Sequence, residues 1–131
     1  MRLLLDAHIG LWAIVDDARL PRPAKDLIAD PANTIFVSAA SVWEIAIKHG
    51  LAQGRPASMP VSGPDALRYF RQAGYELLPI SADHAAAVAA LPVLHRDPFD
   101  RILVAQAMTE PLVLLTHDAV VKSYSDSIVL V

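Results

Sequence analysis

The sequence predicts an α/β fold: one domain with a central parallel sheet of four to five strands, flanked by helices. Residues 2 to 5 (Arg-Leu-Leu-Leu) and 112 to 115 (Leu-Val-Leu-Leu) are short apolar runs. Each ends at or near an acid and leads into a helical pattern, as strands buried on both faces of a parallel sheet do. Residues 34 to 37 (Thr-Ile-Phe-Val) are β-branched and aromatic, and a serine turn and a helical pattern follow at once. Strand, tight turn and helix is the repeating unit of that fold class.

The first run ends at Asp6, after which Ile9, Leu11, Trp12 and Val15 space a helix. Asp6 is its natural N-cap and equally a strand-end site residue. Arg19-Leu-Pro-Arg-Pro23 breaks the chain, and Ala24 to Ala29 forms a short helix closed by Asp30-Pro31. Past the second strand, Ser38 to His49 reads as a helix. Ser41 and Glu44 spell a capping box within it if it starts at Ser41. If it starts at Ser38, Glu44 falls in the second turn, where no free amide needs it. Val42 and Trp43 are expected in the core, Lys48 and His49 at a solvated helix end.

Residues 52 to 64 hold three prolines and two glycines and read as a loop, a candidate contact for an inhibitor. Pro64 to Gly74 is a helix with a glycine stop, Arg68 and Arg71 lying on its solvated face. Glu76 to Ile80 is a strand confined to the sheet edge by Pro79. Ser81 caps a helix running to about Ala90. The helix that follows has Asp97 at its N-cap and Pro98 at its first position, which puts Asp100 at N3 on a face otherwise apolar through Leu103, Val104 and Ala107. Asp100 can complete a capping box with Asp97 or belong to a site. The run 112 to 115 ends in Thr116-His117-Asp118 and a short helix to Lys122, and residues 127 to 131 form a last strand.

At 131 residues, 54% hydrophobic and 19% charged, the chain is large enough for a real core and is not disordered. It has no cysteine, which removes disulfides and thiolate chemistry, and no run long enough for a membrane helix. A cytoplasmic protein is expected. The net charge of −3 argues against a broadly basic nucleic-acid surface. Any contact with nucleic acid must be local or carried by a cation.

Parallel sheets place strand C-termini and the following helix N-termini along one edge. Asp6 and Asp118 end strands, Glu44 follows one, and Asp100 opens a helix, so all four acids can converge there. Four carboxylates that close repel by several kcal/mol at an effective dielectric of about 20, more than the roughly 1 kcal/mol each gains as a cap. A hard divalent cation removes that penalty. Oxygen-only ligation suits Mg²⁺, with Mn²⁺ the alternative, whereas His84 and His95 lack the i, i+4 partner of a helical zinc site. The expected chemistry is metal-assisted phosphodiester hydrolysis.

Leu5-Asp-Ala-His8, Ser38-Ala-Ala-Ser-Val-Trp-Glu-Ile45, His95-Arg-Asp-Pro-Phe-Asp-Arg-Ile-Leu-Val-Ala-Gln-Ala107 and Thr116-His-Asp118 together resemble the motifs of PilT N-terminus (PIN) domain proteins, the VapC toxins in particular. The resemblance spans nearly the whole chain. It implies a single PIN-like domain with Asp6, Glu44, Asp100 and Asp118 as catalytic and metal-binding residues and Thr116 as a supporting hydroxyl. Arg96 and Arg101 within the third motif become candidates for substrate contact. It further implies an Mg²⁺-dependent ribonuclease of a type II toxin–antitoxin pair, dimeric and inhibited by a VapB-like partner. Ala7 stands where many relatives carry a hydroxyl beside the first acid. Asp97 is read as a cap rather than a fifth ligand.

A phospho-accepting receiver module is the weaker reading, since the chain has neither an adjacent acidic pair after its first strand nor a lysine near its last. A non-catalytic RNA-binding or interaction protein has no need of all four acids.

Overall fold

The computed structural model describes residues 1–51 and 59–131. The central part of the proline-rich loop, residues 52 to 58, lies outside the described residues, and so does most of the inhibitor contact expected there. Five strands, β1 (Arg2–Leu5), β2 (Thr34–Ser38), β3 (Glu76–Leu78), β4 (Val113–Thr116) and β5 (Val129–Leu130), form one sheet in the order β3-β2-β1-β4-β5. Every pairing is parallel. The expected sheet is therefore present, with β3 at its edge. β5 covers only two of the five residues expected, because Ser127 lies in a turn and Ile128 packs into the core instead of pairing.

Among the described residues, seven helices connect the strands: α1 (Ala7–Ile14), α2 (Arg22–Ala29), α3 (Ala39–Leu51), α4 (Gly63–Gln72), α5 (Ala82–Ala87, continued by a 3₁₀ turn to Ala90), α6 (Pro98–Thr109) and α7 (Ala119–Lys122). Strand alternation divides the core in two. Leu3 and Leu5 of β1, Ile35 and Val37 of β2 and Leu115 of β4 pack with Ile9, Trp12, Ala24 and Phe70 from α1, α2 and α4. Leu4 and Leu114 face the other way, onto Leu103, Val104, Ala107 and Val121 of α6 and α7. Both faces are covered, which is why β1 and β4 are continuous apolar runs. Helix α4 starts one residue earlier than expected, at Gly63, where a Cβ would lie 2.7 Å from the Ala46 side chain of α3.

The chain leaves β1 toward β2 and β3 on one side and later returns to β4 and β5 on the other. The reversal of strand order falls between β1 and β4, whose last pair is Leu5 with Leu115. A crevice opens at such a point beyond the strand C-termini. Asp6 stands on its floor, with the buried Thr116 hydroxyl donating to it.

Candidate metal and active site

Asp6 and Asp118 each do a structural job first. Asp6, only 6% exposed, caps α1: its Oδ1 accepts from the Ile9 amide at 2.9 Å. Its Oδ2 accepts from the Thr116 hydroxyl at 2.7 Å and from the His117 amide at 3.3 Å. Asp118 caps α7 by accepting from the Val120 amide at 2.8 Å, and its own amide donates to Thr116 Oγ1 at 3.0 Å. The Thr116 hydroxyl thus ties the two strand-end acids together. It is the hydroxyl for Asp6 that Ala7 cannot supply.

Glu44 and Asp100 have no such job. Helix α3 begins at Ala39, with Ser38 Oγ accepting from the Ala40 amide at 3.0 Å, so the Ser41–Glu44 capping box does not form. Glu44 lies in the second turn, 5% exposed, its Oε2 paired with the Lys48 ammonium at 2.6 Å. Lys48 is therefore the partner of a buried acid and not simply a solvated helix end. In α6, Asp97 caps by accepting from the Phe99 amide at 2.9 Å, but Asp100 does not return to the Asp97 amide. That amide donates to His95 Nδ1 at 3.1 Å instead. The capping-box account of Asp100 fails on this geometry.

All four acids line one cavity of about 530 Å³, together with Asp97 and Lys48. Trp12 walls it on one side, its ring flanked by His8 at 5.7 Å and His117 at 5.6 Å between centroids. Burial, then the negative charges of Asp97, Glu44 and Asp6, push the Asp100 carboxyl up to about 7. Asp118 moves the other way. Partial burial acts to raise it, but the hydrogen bond from His95 and the amides of Val120 and Val121 outweigh that and hold it below the ordinary carboxylate value.

This donor set fits a hard divalent cation. It is rich in carboxylate oxygen, and it contains a carboxyl driven toward its neutral form by burial and then by anionic neighbours, a penalty that a cation relieves. Asp100 and Asp118 also offer ligand atoms within 4.8 Å of each other and of a His95 ring nitrogen. His95 was passed over in the sequence because it has no helical partner at i+4. It comes from the segment before α6, and Nε2 lies 3.0 Å from Asp118 Oδ2 and 3.2 Å from Asp100 Oδ2. The signal available was its place two residues before the Asp97 cap.

The two candidate arginines lie elsewhere. The Arg101 guanidinium donates to the carbonyls of Pro92 (3.0 Å) and Val88 (3.3 Å) and to Tyr124 Oη (3.1 Å), bracing the segment that carries His95. Arg96 is exposed and, with Trp43 and Phe99, lines a separate hollow of about 460 Å³. Trp43 is 58% exposed, contrary to the expected core position. The buried face of α3 is Ala40, Ser41, Glu44 and Ile45, which turns Trp43 outward, edge-on to Phe99 at 5.0 Å.

A family model described as PIN domain matches residues 3–126. Among solved structures, the fold is similar to a chain of VapBC2 from Rickettsia felis bound to a DNA fragment from its promoter (TM-score 0.66, 18% identity, covering 100% of this chain and 98% of that one). It is also similar to a chain of a toxin–antitoxin complex from Klebsiella pneumoniae (TM-score 0.63, 22% identity, 97% and 95% covered). FitAcB from Neisseria gonorrhoeae matches comparably (TM-score 0.61, 18% identity, 98% and 96% covered). No curated protein matches by sequence.

Proposed function

The chain belongs to the PIN-domain family, and from that premise we propose that it is an Mg²⁺-dependent ribonuclease, the toxin of a type II toxin–antitoxin pair. The observation that carries the reading is the convergence of Asp6, Glu44, Asp100 and Asp118 on one cavity, two of them without any structural task. These four carboxylates would hold the cation, Mg²⁺ or Mn²⁺. When bound, such an ion neutralises phosphate charge and lowers the pKa of a water for attack at phosphorus.

The protein's own groups do the positioning. Thr116 fixes the Asp6 carboxylate by donating to Oδ2, and the caps on α1 and α7 lock the rotamers of Asp6 and Asp118. Lys48 holds the Glu44 side chain in place at the cavity wall, its ammonium 2.6 Å from Oε2. Arg96, exposed at the start of α6, is the arginine free to meet an RNA backbone, whereas Arg101 acts as a brace.

Two protein partners belong to this reading: a VapB-like antitoxin and a second copy of the chain. Structures of toxin–antitoxin complexes are among the similar folds, and α3 exposes Trp43, Ile47 and Leu51 at four-residue spacing beside an apolar hollow of about 700 Å³. Among the described residues no helix is long and apolar enough to cross a membrane. A cytoplasmic location belongs to the toxin reading and is proposed with it. Light scattering at micromolar concentration tests the homodimer; a monomer rejects it.

The catalytic reading is tested by incubating the purified chain with single-stranded RNA and with DNA of the same sequence, in Mg²⁺ and in EDTA. RNA cleavage that needs Mg²⁺ and falls at least about a thousandfold in Asp100→Asn, some 4 kcal/mol of transition-state stabilisation, is the expected result. RNA binding without cleavage under any divalent ion would favour a non-catalytic binder. Undiminished cleavage by Asp100→Asn would remove that residue from the mechanism.

A further inference from the structure

We infer that His95 is not a metal ligand but a neutral proton donor that positions the metal-binding carboxylates, its tautomer set by the backbone of Asp97. The placement of Nε2 beside Asp100 and Asp118 invites the opposite conclusion, since nitrogen and two carboxylates within 4.8 Å resemble a ligand set. The other ring nitrogen decides between them. Nδ1 lies 3.1 Å from the Asp97 amide, which can only donate, so Nδ1 carries the lone pair and accepts. A neutral ring with an accepting Nδ1 bears its proton on Nε2. A nitrogen that carries a proton cannot bind a metal.

Nε2–H then donates to Asp118 Oδ2 at 3.0 Å, and Asp100 Oδ2 stands 3.2 Å from the same nitrogen. The donor thus holds Asp118, from the turn after β4, and stands within 3.2 Å of Asp100 at the start of α6. A histidine that ligates through Nε2 makes the reverse arrangement, with Nδ1–H donating to a carbonyl or carboxylate. Here an amide donor occupies the place where that acceptor would be. The backbone that carries the ring is also held: the His95 amide donates to Tyr124 Oη at 2.8 Å, and Arg101 donates to the same oxygen at 3.1 Å.

Asp97 gains a role from this arrangement. Its carboxylate caps α6 while its amide selects the His95 tautomer, so one residue starts the helix and orients the donor. With His95 set aside, its cluster reduces to the carboxylates of Asp100 and Asp118, oxygen donors that suit Mg²⁺ or Mn²⁺. This last step rests on the metal-nuclease reading above; the tautomer assignment does not.

Two measurements test the inference on the full chain. Long-range ¹H–¹⁵N correlation of the imidazole rings in the metal-free protein, and again with Mg²⁺, should show His95 protonated at Nε2 and bare at Nδ1 in both states. A proton on Nδ1 with a bare Nε2 in either state overturns the assignment. Melting curves with and without Mg²⁺ should then separate His95→Gln from His95→Leu. Glutamine keeps an N–H near the Nε2 position and should retain the magnesium-induced rise, while leucine removes the donor and should weaken Mg²⁺ binding about tenfold. Equal loss in both variants, with wild type responding, makes His95 a ligand and overturns the inference. A wild type without any Mg²⁺ response overturns the metal reading instead, and the ring spectra still decide the tautomer.

Discussion

The two acids at strand ends and the two on helices occupy one cavity but are held in opposite ways. Asp6 accepts three hydrogen bonds and Asp118 is capped and held below its ordinary pKa. Asp100 accepts no amide and is pushed up to about 7, and Glu44 depends on a single lysine. An acid that caps a helix contributes to the fold whether or not it serves chemistry. An acid that burial and its neighbours oppose contributes nothing to the metal-free fold, and its presence calls for another cause. The contrast separates carboxylates with a structural task from those without one, along the walls of the same cavity.

The contrast is broken or sharpened most by removing a strand-end acid. Asp6→Ala deletes the α1 cap and orphans the buried Thr116 hydroxyl, and should cost about 3 kcal/mol by denaturant unfolding in EDTA. If Asp100→Ala costs as much under the same conditions, the distinction between the two pairs disappears.

The pH dependence is the next largest effect. Below about pH 4 Asp100 is protonated in both folded and unfolded chains and contributes nothing to the slope. Between the ordinary value of 3.8 and the folded value of about 7, the unfolded chain ionises while the native protein keeps its proton, so stability falls as pH rises. Above about 7 the loss levels off. With solvent screening allowed for, wild type should lose about 2 kcal/mol across this window relative to Asp100→Asn, both in EDTA. Asp118 has the opposite sign: its lowered value stabilises the fold above the ordinary carboxylate range and that contribution is lost on acidification. Parallel pH–stability profiles for wild type and Asp100→Asn would contradict the assignment.

The smallest effect concerns Glu44. Lys48→Met leaves a buried carboxylate unpaired and should destabilise the metal-free protein by about 1 kcal/mol, moderated because the lysine is half exposed. Mg²⁺ should shrink the difference between variant and wild type. A difference of the same size in Mg²⁺ and in EDTA would place Glu44 outside the metal site.

Much of this architecture was legible in the sequence because burial on both faces leaves an unbroken apolar run. β1 and β4 show it, and their shared reversal point follows from parallel topology. The helix-borne acids were ambiguous because Ser41–Glu44 and Asp97–Asp100 both have capping-box spacing. Only the observed start of α3 and the direction of the Asp97 amide settle them. Trp43 was misplaced because residue type says nothing of which side of a helix meets the sheet. His95 and Arg101 depend on tertiary contacts with Asp118, Tyr124 and the carbonyls of Val88 and Pro92, which no local spacing encodes.

The most direct measurement is a pair of melting curves, wild type and Asp100→Asn, each in EDTA and in Mg²⁺. In EDTA the variant should melt at or above wild type, because the amide relieves the crowding that pushes Asp100 up to about 7. In Mg²⁺ the order should reverse: wild type gains about 2.7 kcal/mol at a hundredfold excess over the dissociation constant, and the variant gains much less. A variant that melts lower in EDTA by about 1 kcal/mol and responds to Mg²⁺ as fully as wild type would make Asp100 a helix cap and contradict the account.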